Sequence, residues 1–136
     1  MSSQAPVEYE TRTEMTVALR ESGLEQSADR LGYLQRLADE DPDEEPIAIA
    51  SLRHLTSFLL DERHLGQPDI GVSPHGVALA QWQVRGNGIL AMEFLGSGLI
   101  RFAGASGPGS QDRQSLRVSG TLPRTKALQA VQSLLS

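Results

Sequence analysis

Histidines, clustered carboxylates and glycine-flanked serines are the side chains of this sequence that could do chemistry, and their spacing decides which chemistry is open to them. The histidines are His54, His64 and His75. His54 and His64 are separated by a stretch that turns a helix through about 1000°, so they point in different directions. Neither stands at the i, i+4 or His-x-Glu spacing that brings imidazole and carboxylate onto one metal. His75 falls in the turn Ser73-Pro74-His75-Gly76. Solvated or structural histidines are expected, with no metal and no cofactor.

The densest carboxylate cluster is Asp39, Glu40, Asp41, Asp43, Glu44 and Glu45, gathered around Pro42. Asp39, Asp41 and Asp43 match positions one, three and five of a calcium loop. Position six needs glycine and holds Glu44; position twelve needs glutamate and holds Ala50, so an EF-hand is excluded. Two readings stay open, a solvated linker and a docking surface for a protein partner with a basic surface.

The serines fare no better as nucleophiles. Gly71-Val72-Ser73-Pro74-His75 and Gly104-Ala105-Ser106-Gly107-Pro108 both lack the final glycine of a nucleophile elbow. Gly96-Ser97-Gly98 reads as a turn. Gly104, Gly107 and Gly109 run in the reverse order of the dinucleotide fingerprint, with no helix after them. Cysteine is absent, which removes thiolate metal sites, cysteine nucleophiles and disulfides together. No catalytic constellation can be assembled, and a non-enzymatic protein is expected. The lack of disulfides favours a reducing compartment. Met1–Glu10 carries neither the basic nor the apolar region of a signal peptide, and no apolar run approaches the ~20 residues of a membrane span. A cytoplasmic protein is expected.

Charge is polarised along the chain. The net charge is −5, but residues 1–62 hold 14 acids against 5 bases and residues 63–136 hold 3 acids against 7 bases. Such polarity orients a charged partner, or draws the two halves of one fold together. Arg63, Arg85, Arg101, Arg113, Arg117, Arg124 and Lys126, with Trp82, Phe94 and Phe102 on strands, raise the possibility of a sheet that stacks nucleic-acid bases. All three aromatics share the face assigned to the core, however, and the net charge opposes a polyanion. Nucleic acid is not expected as a partner.

The elements that must position these residues follow from periodicity. The chain of 136 residues fits one domain, residues 11–136, behind a flexible tail of residues 1–10. Thr11, Thr13, Met15, Val17 and Leu19 alternate as in a strand, although Met15, Ala18 and Leu19 also fit helical spacing. Leu24, Ala28, Leu31, Leu34, Leu37 and Ala38 predict a helix over about 24–40, stopped by Asp41-Pro42. A second helix is expected over about 46–65, with Pro46 in its first turn and Ile47, Leu52, Leu55, Phe58, Leu59 and Leu60 on its buried face. Beyond Pro68 the period drops to two. Strands are expected at Asp69–Ser73, Val77–Val84, Ile89–Leu95 and Leu99–Ala103, with a fifth at Leu116–Ser119 after a flexible segment Gly104–Gln114. Asn87-Gly88 supplies the positive φ angles of the second hairpin turn.

Ala78, Ala80, Trp82 and Val84, then Leu90, Met92 and Phe94, then Ile100 and Phe102, form the core face of this sheet. The opposite face mixes Val77, Leu79, Ile89, Leu95 and Leu99 with Gln81, Gln83, Glu93 and Arg101, and so needs a cover. A C-terminal helix over about 124–135, introduced by Thr121 and Pro123, is the candidate for that cover. The fold class is α+β: two N-terminal helices, a four- to five-stranded antiparallel meander and a C-terminal helix.

Pro68, Ile70, Val72, Gly76, Trp82, Met92, Glu93 and Phe94 give the meander a pattern that resembles small uncharacterised bacterial proteins with two helices followed by a Trp-containing antiparallel β-meander. The resemblance covers about residues 28–103. Those proteins often carry Trp-Asp-Gly between the helices, where this chain has Asp39–Glu45, and the resemblance implies no activity. Function is therefore expected at the surface, in a protein-interaction module acting as a regulator, inhibitor or accessory subunit. The acid run would be the electrostatic part of the contact and the second sheet face its apolar part, against a protein partner or a second copy. The alternative is a small-molecule-binding domain, with Arg101 and Glu93 as polar groups of a pocket between sheet and helices.

Overall fold

The computed structural model describes residues 11–107 and 116–135 of the chain. The tail Met1–Glu10 and residues 108–114 of the expected flexible segment lie outside them. The first element is a helix, α1 (Arg12–Glu21), and not the strand suggested by alternation over Thr11–Leu19. Thr11 and Glu14 have the Thr-x-x-Glu spacing of a helix start. The Thr11 hydroxyl accepts the Glu14 N–H at 3.1 Å, satisfying a donor that a helix N-terminus leaves open. With the start fixed, Met15 and Leu19 fall on one face and are fully buried.

Gly23, at φ +82°, separates α1 from α2 (Glu25–Glu40), which buries Ala28 and Leu31. Two side-chain bonds tie α2 to the first strand. Arg30 Nε donates to the Ile70 carbonyl at 2.8 Å, and Gln67 Oε1 accepts the Ser27 N–H at 3.0 Å.

Helix α3 (Ile49–Asp61) is shorter than the expected 46–65. Pro46 lies before it in extended chain, because the Ala48 N–H donates to the Gly76 carbonyl at 2.8 Å. A Cβ on Gly76 would sit 2.8 Å from the Pro46 carbonyl, and its φ is +76°, so close approach and backbone conformation both call for glycine there. At its other end the helix stops at Glu62, and Arg63–Leu65 is a separate 3₁₀ turn.

The sheet comprises β1 (Asp69–Ser73), β2 (Val77–Val84), β3 (Gly88–Phe94), β4 (Leu99–Ala105) and β5 (Arg117–Pro123). All neighbours are antiparallel and the strand order is β1-β2-β3-β4-β5. Strand β4 extends through Gly104 and Ala105, two residues beyond the end that its sequence pattern predicts. Strand β5 reaches Pro123, so Thr121 and Pro123 belong to it, and α4 (Arg124–Leu135) follows with no residue between. In the β2–β3 turn the positive φ angles fall on Gly86 (+63°) and Asn87 (+62°), one residue earlier than expected.

One face of the sheet carries Ala78, Ala80, Trp82, Leu90, Met92, Phe94, Ile100 and Phe102, all buried as parity predicts, together with Ile70, whereas Val84 of the expected set is only partly buried. Helix α3 covers this face with Leu55, Phe58 and Leu59. The Phe58 ring centroid lies 5.9 Å from Trp82 and 5.1 Å from Phe94. Ser51 adds a polar clip. Its hydroxyl donates to the Phe94 carbonyl at 2.6 Å and accepts the Ala78 N–H at 2.7 Å, bridging two residues that face each other across β2 and β3.

Helix α4 lies on this same face, through Ala127, Val131 and Leu134, and does not cover the other one. Gly104 makes room: a Cβ there would meet Leu134 Cδ1 at 2.7 Å. The architecture is therefore α+β, with three helices before the sheet in place of two. Helices α3 and α4 lie on its inner face, α2 on its β1 edge, and α1 against α2 and α3. Among the described residues no helix is long and apolar enough to cross a membrane.

Candidate interaction face and cleft

With α4 on the inner side, no described helix covers the outer face of the sheet. The strand register orders that face into cross-strand rows. Gln83, Ile89, Ala105 and Arg117 form the row at one end. Asp69, Gln81, Ala91, Ala103 and Ser119 come next. Gly71, Leu79, Glu93, Arg101 and Thr121 form the third, and Ser73, Val77, Leu95, Leu99 and Pro123 close the other end. Ile89 is 55% exposed, a large apolar side chain left in solvent. Val77, Leu79, Leu95 and Leu99 are half-buried by their neighbours. On this face an ion pair joins Arg101 Nη1 to Glu93 Oε2 at 3.6 Å, on directly opposed residues of β3 and β4. Cross-strand pairs of this kind contribute a few tenths of a kcal/mol, up to about 1. The pair lies on the side of the sheet away from the helices, and so is not in a pocket between sheet and helices.

The acid run sits elsewhere. Asp39 and Glu40 end α2, and Asp41 to Glu45 lead towards α3, every one exposed. The Asp41 carboxylate accepts the Asp43 N–H at 2.9 Å and the Gln35 amide donates to Asp39 at 2.8 Å, so the run holds a defined turn. Its downstream end, through Pro46 and Ala48, is fixed to the β1–β2 turn at Gly76. That turn borders the Val77 end of the outer face. The six acids are thus brought to one rim of the face but do not lie on it.

A second concave feature opens on the inner side, between the 3₁₀ turn that follows α3, the end of β2 and helix α4. It is a cleft of about 740 Å³ with Leu65, Trp82, Val84, Leu128 and Leu134 as its apolar lining. Glu62, His64, Arg85, Gln129 and Arg124 stand at its rim. Trp82 Nε1 donates to the Gly66 carbonyl at 3.2 Å, which fixes the indole in the floor. Arg124, at the start of α4, ties that helix to α3. Its guanidinium donates to Asp61 at 2.6 Å and to Ser57 at 3.1 Å, and lies 5.6 Å from the Phe58 ring centroid. Arg85 Nη1 donates to the Ser133 carbonyl at 3.2 Å near the other end of α4.

The histidines are spread over three settings. His54 Nδ1 lies 3.0 Å from the Leu95 carbonyl, which can only accept, so Nδ1 carries the proton. Burial holds the His54 pKa below its usual value; the Leu95 bond opposes that shift and the nearby Arg124 charge adds to it. His64 lies 3.5 Å from Glu62, and His75 occupies the β1–β2 turn at φ +75°. Among the described residues no three His, Asp or Glu side chains converge on a common point that could hold a metal. Ser73 and Ser106 use their hydroxyls in turns, Ser73 to the Val77 carbonyl at 3.1 Å and Ser106 accepting the Leu116 N–H at 2.9 Å. Trp82, Phe94 and Phe102 are buried under the helices and present no ring to solvent.

The sequence alternative of a pocket between sheet and helices names Arg101 and Glu93, and the cleft has neither. Its walls come from Glu62–Leu65, the end of β2 and α4, segments distant in sequence whose meeting no local spacing records. Compared with protein families, curated proteins and solved structures, the chain matches none.

Proposed function

We propose that the chain is a non-enzymatic protein-interaction module, a regulator, inhibitor or accessory subunit, and that the outer face of the sheet is its contact surface. One observation carries this reading: every helix packed on the sheet's faces lies on the inner one, which leaves Ile89, Leu79, Val77 and Leu99 on a face that no described element covers. An antiparallel sheet tolerates one wet face when that face is polar; this one alternates apolar with polar positions. The acid run at the Val77 rim supplies long-range attraction, which raises the encounter rate with a basic protein surface more than it raises affinity.

Site-specific photocrosslinking tests the assignment. A crosslinker at position 89 should capture a protein in extracts of the source cell, and one at Gln26 on the helical side should not. Replacing Asp39, Asp41, Asp43, Glu44 and Glu45 together by Ser should weaken that capture. Equal capture from both positions would remove the outer face as the contact surface.

The cleft supports a second reading, a small-molecule site. Its volume lies within the range of ligand pockets, and an apolar floor with two guanidinium groups at the rim suits an aromatic or aliphatic anion. Trp82 is the only tryptophan of the sequence, so its emission reports on this floor alone. Titration with anilinonaphthalene sulfonate should quench Trp82 saturably and raise Tm; unchanged emission and Tm would remove the reading.

A further inference from the structure

We infer that the occupant of the outer sheet face is a second copy of this chain, packed face to face about a two-fold axis that crosses the strands. This deepens the interaction reading and rests on it. Charge is the first argument. The whole chain carries −5, yet the outer face carries Asp69 and Glu93 against Arg101 and Arg117, a balance of zero. The six acids of Asp39–Glu45 stand at the Val77 rim and not on the face. The two-fold axis sets that rim over the Ile89 end of the other copy and not over its acid run, so the contacting surfaces meet without net repulsion.

The row structure is the second argument. A two-fold axis across the strands, between the second and third rows, lays each strand antiparallel on its own copy. The Leu79–Glu93–Arg101 row then lies on the Gln81–Ala91–Ala103 row of the other copy. Arg101 meets the methyl of Ala103 and Glu93 that of Ala91, so long side chains fall on short ones in both directions. The same operation carries Ile89, 55% exposed, onto Leu95 between Val77 and Leu99. The most exposed apolar side chain of the face thus reaches its largest apolar patch, and does so twice. Sheets stack in this way about 10 Å apart, with strands within about 30° of alignment.

Size is the third argument. Five strands at their usual spacing give a face about 24 Å wide, and its rows hold roughly twenty residues, the number a standard interface uses on each side. The Glu93–Arg101 pair enters the interface already formed, so neither charge is buried alone, although its desolvation limits affinity. A reversible dimer with Kd on the order of micromolar is expected.

Light scattering and sedimentation across a concentration series of the native chain should show a transition from 14.7 kDa to twice that mass. Ile89→Asp should raise the dimer Kd by at least about tenfold, and leave unchanged the Tm measured at concentrations well below the native Kd, since it introduces a charge that only the interface desolvates. Arg101→Glu leaves the face at −2 and Glu93→Arg leaves it at +2, so each alone should be monomeric. An equimolar mixture of the two, and the double variant Glu93→Arg/Arg101→Glu, should regain the doubled mass. A native chain that stays monomeric overturns the inference; if position 89 still crosslinks a different protein in extract, the broader interaction reading stands without it. A dimer unmoved by Ile89→Asp and by both single reversals also overturns it, because the contact then lies elsewhere.

Discussion

The two faces of the sheet are built from the same strands, with the same alternation, and differ in what each row presents. On the inner face large and small residues interlock with the helices: Trp82, Phe94 and Phe102 stand beside Ala78, Ala80 and Gly104, and the small residues admit α3 and α4. On the outer face the apolar residues gather at the two ends, Ile89 at one and Val77, Leu95 and Leu99 at the other, with Glu93 and Arg101 between them. A helix laid along that face would meet an ion pair at its centre. A surface with the inverse pattern would not. Composition alone does not separate a core from a contact surface, whereas the order of rows does.

The comparison can be broken most forcefully from the inner side. Phe94→Ala should cost about 3–5 kcal/mol of folding stability, since the cavity opens between Phe58 and the sheet, while Ile89→Ser on the outer side of the same strand should cost less than about 0.5 kcal/mol. Paired denaturant melts measure both, and similar losses would mean that the outer face is also core. Ser51→Ala should cost about 2–3 kcal/mol, because it strips a partner from the buried Ala78 N–H and Phe94 carbonyl together. Thr56, fully buried on α3, has no partner for its hydroxyl among the described residues. Thr56→Val should therefore raise stability, by up to about 1 kcal/mol, and a raised midpoint with unchanged slope in urea is the expected sign.

The smallest effect is a pH step from His54. Burial holds its folded pKa below the ordinary imidazole value of about 6.5, so the unfolded chain binds a proton first as pH falls. Its contribution to stability is intact above pH 6.5, declines below it, and levels off once the folded ring is protonated as well. His54→Gln should flatten this part of the profile. The difference between native and variant melting curves isolates it from the carboxylates.

Much of the sheet was legible because period-two patterning is local: strand order, the inner-face set and most turns follow from runs of five to eight residues bounded by glycine. The first helix was not read because Thr11–Leu19 satisfies both periods, and the deciding feature was the Thr11–Glu14 start. The start of α3 was misplaced because a bond to Gly76, distant in sequence, holds Pro46 and Ala48 extended. The side taken by α4 is set by its direct departure from Pro123 and by the space at Gly104, and neither is visible in the amphipathic stripe of the helix. Of the candidate site, the apolar outer face was legible as a parity surplus. The cleft depends on the meeting of Glu62–Leu65, the end of β2 and α4, which are far apart in sequence, and its residues left no trace in any spacing.

Because strand order equals chain order, each strand pairing closes only a short loop, and the long closures belong to the helices. Arg30 reaches Ile70 across 40 residues, Ser51 reaches Phe94 across 43 and Arg124 reaches Asp61 across 63. Closure entropy grows with loop length, so hairpins can align before the helical layer finds its place. Docking of helices onto the inner side then becomes the slow search in folding. The outer face needs no helix to be complete. It exists as soon as the meander does, earlier than the cleft, and an emerging chain presents this face while its core is still being covered.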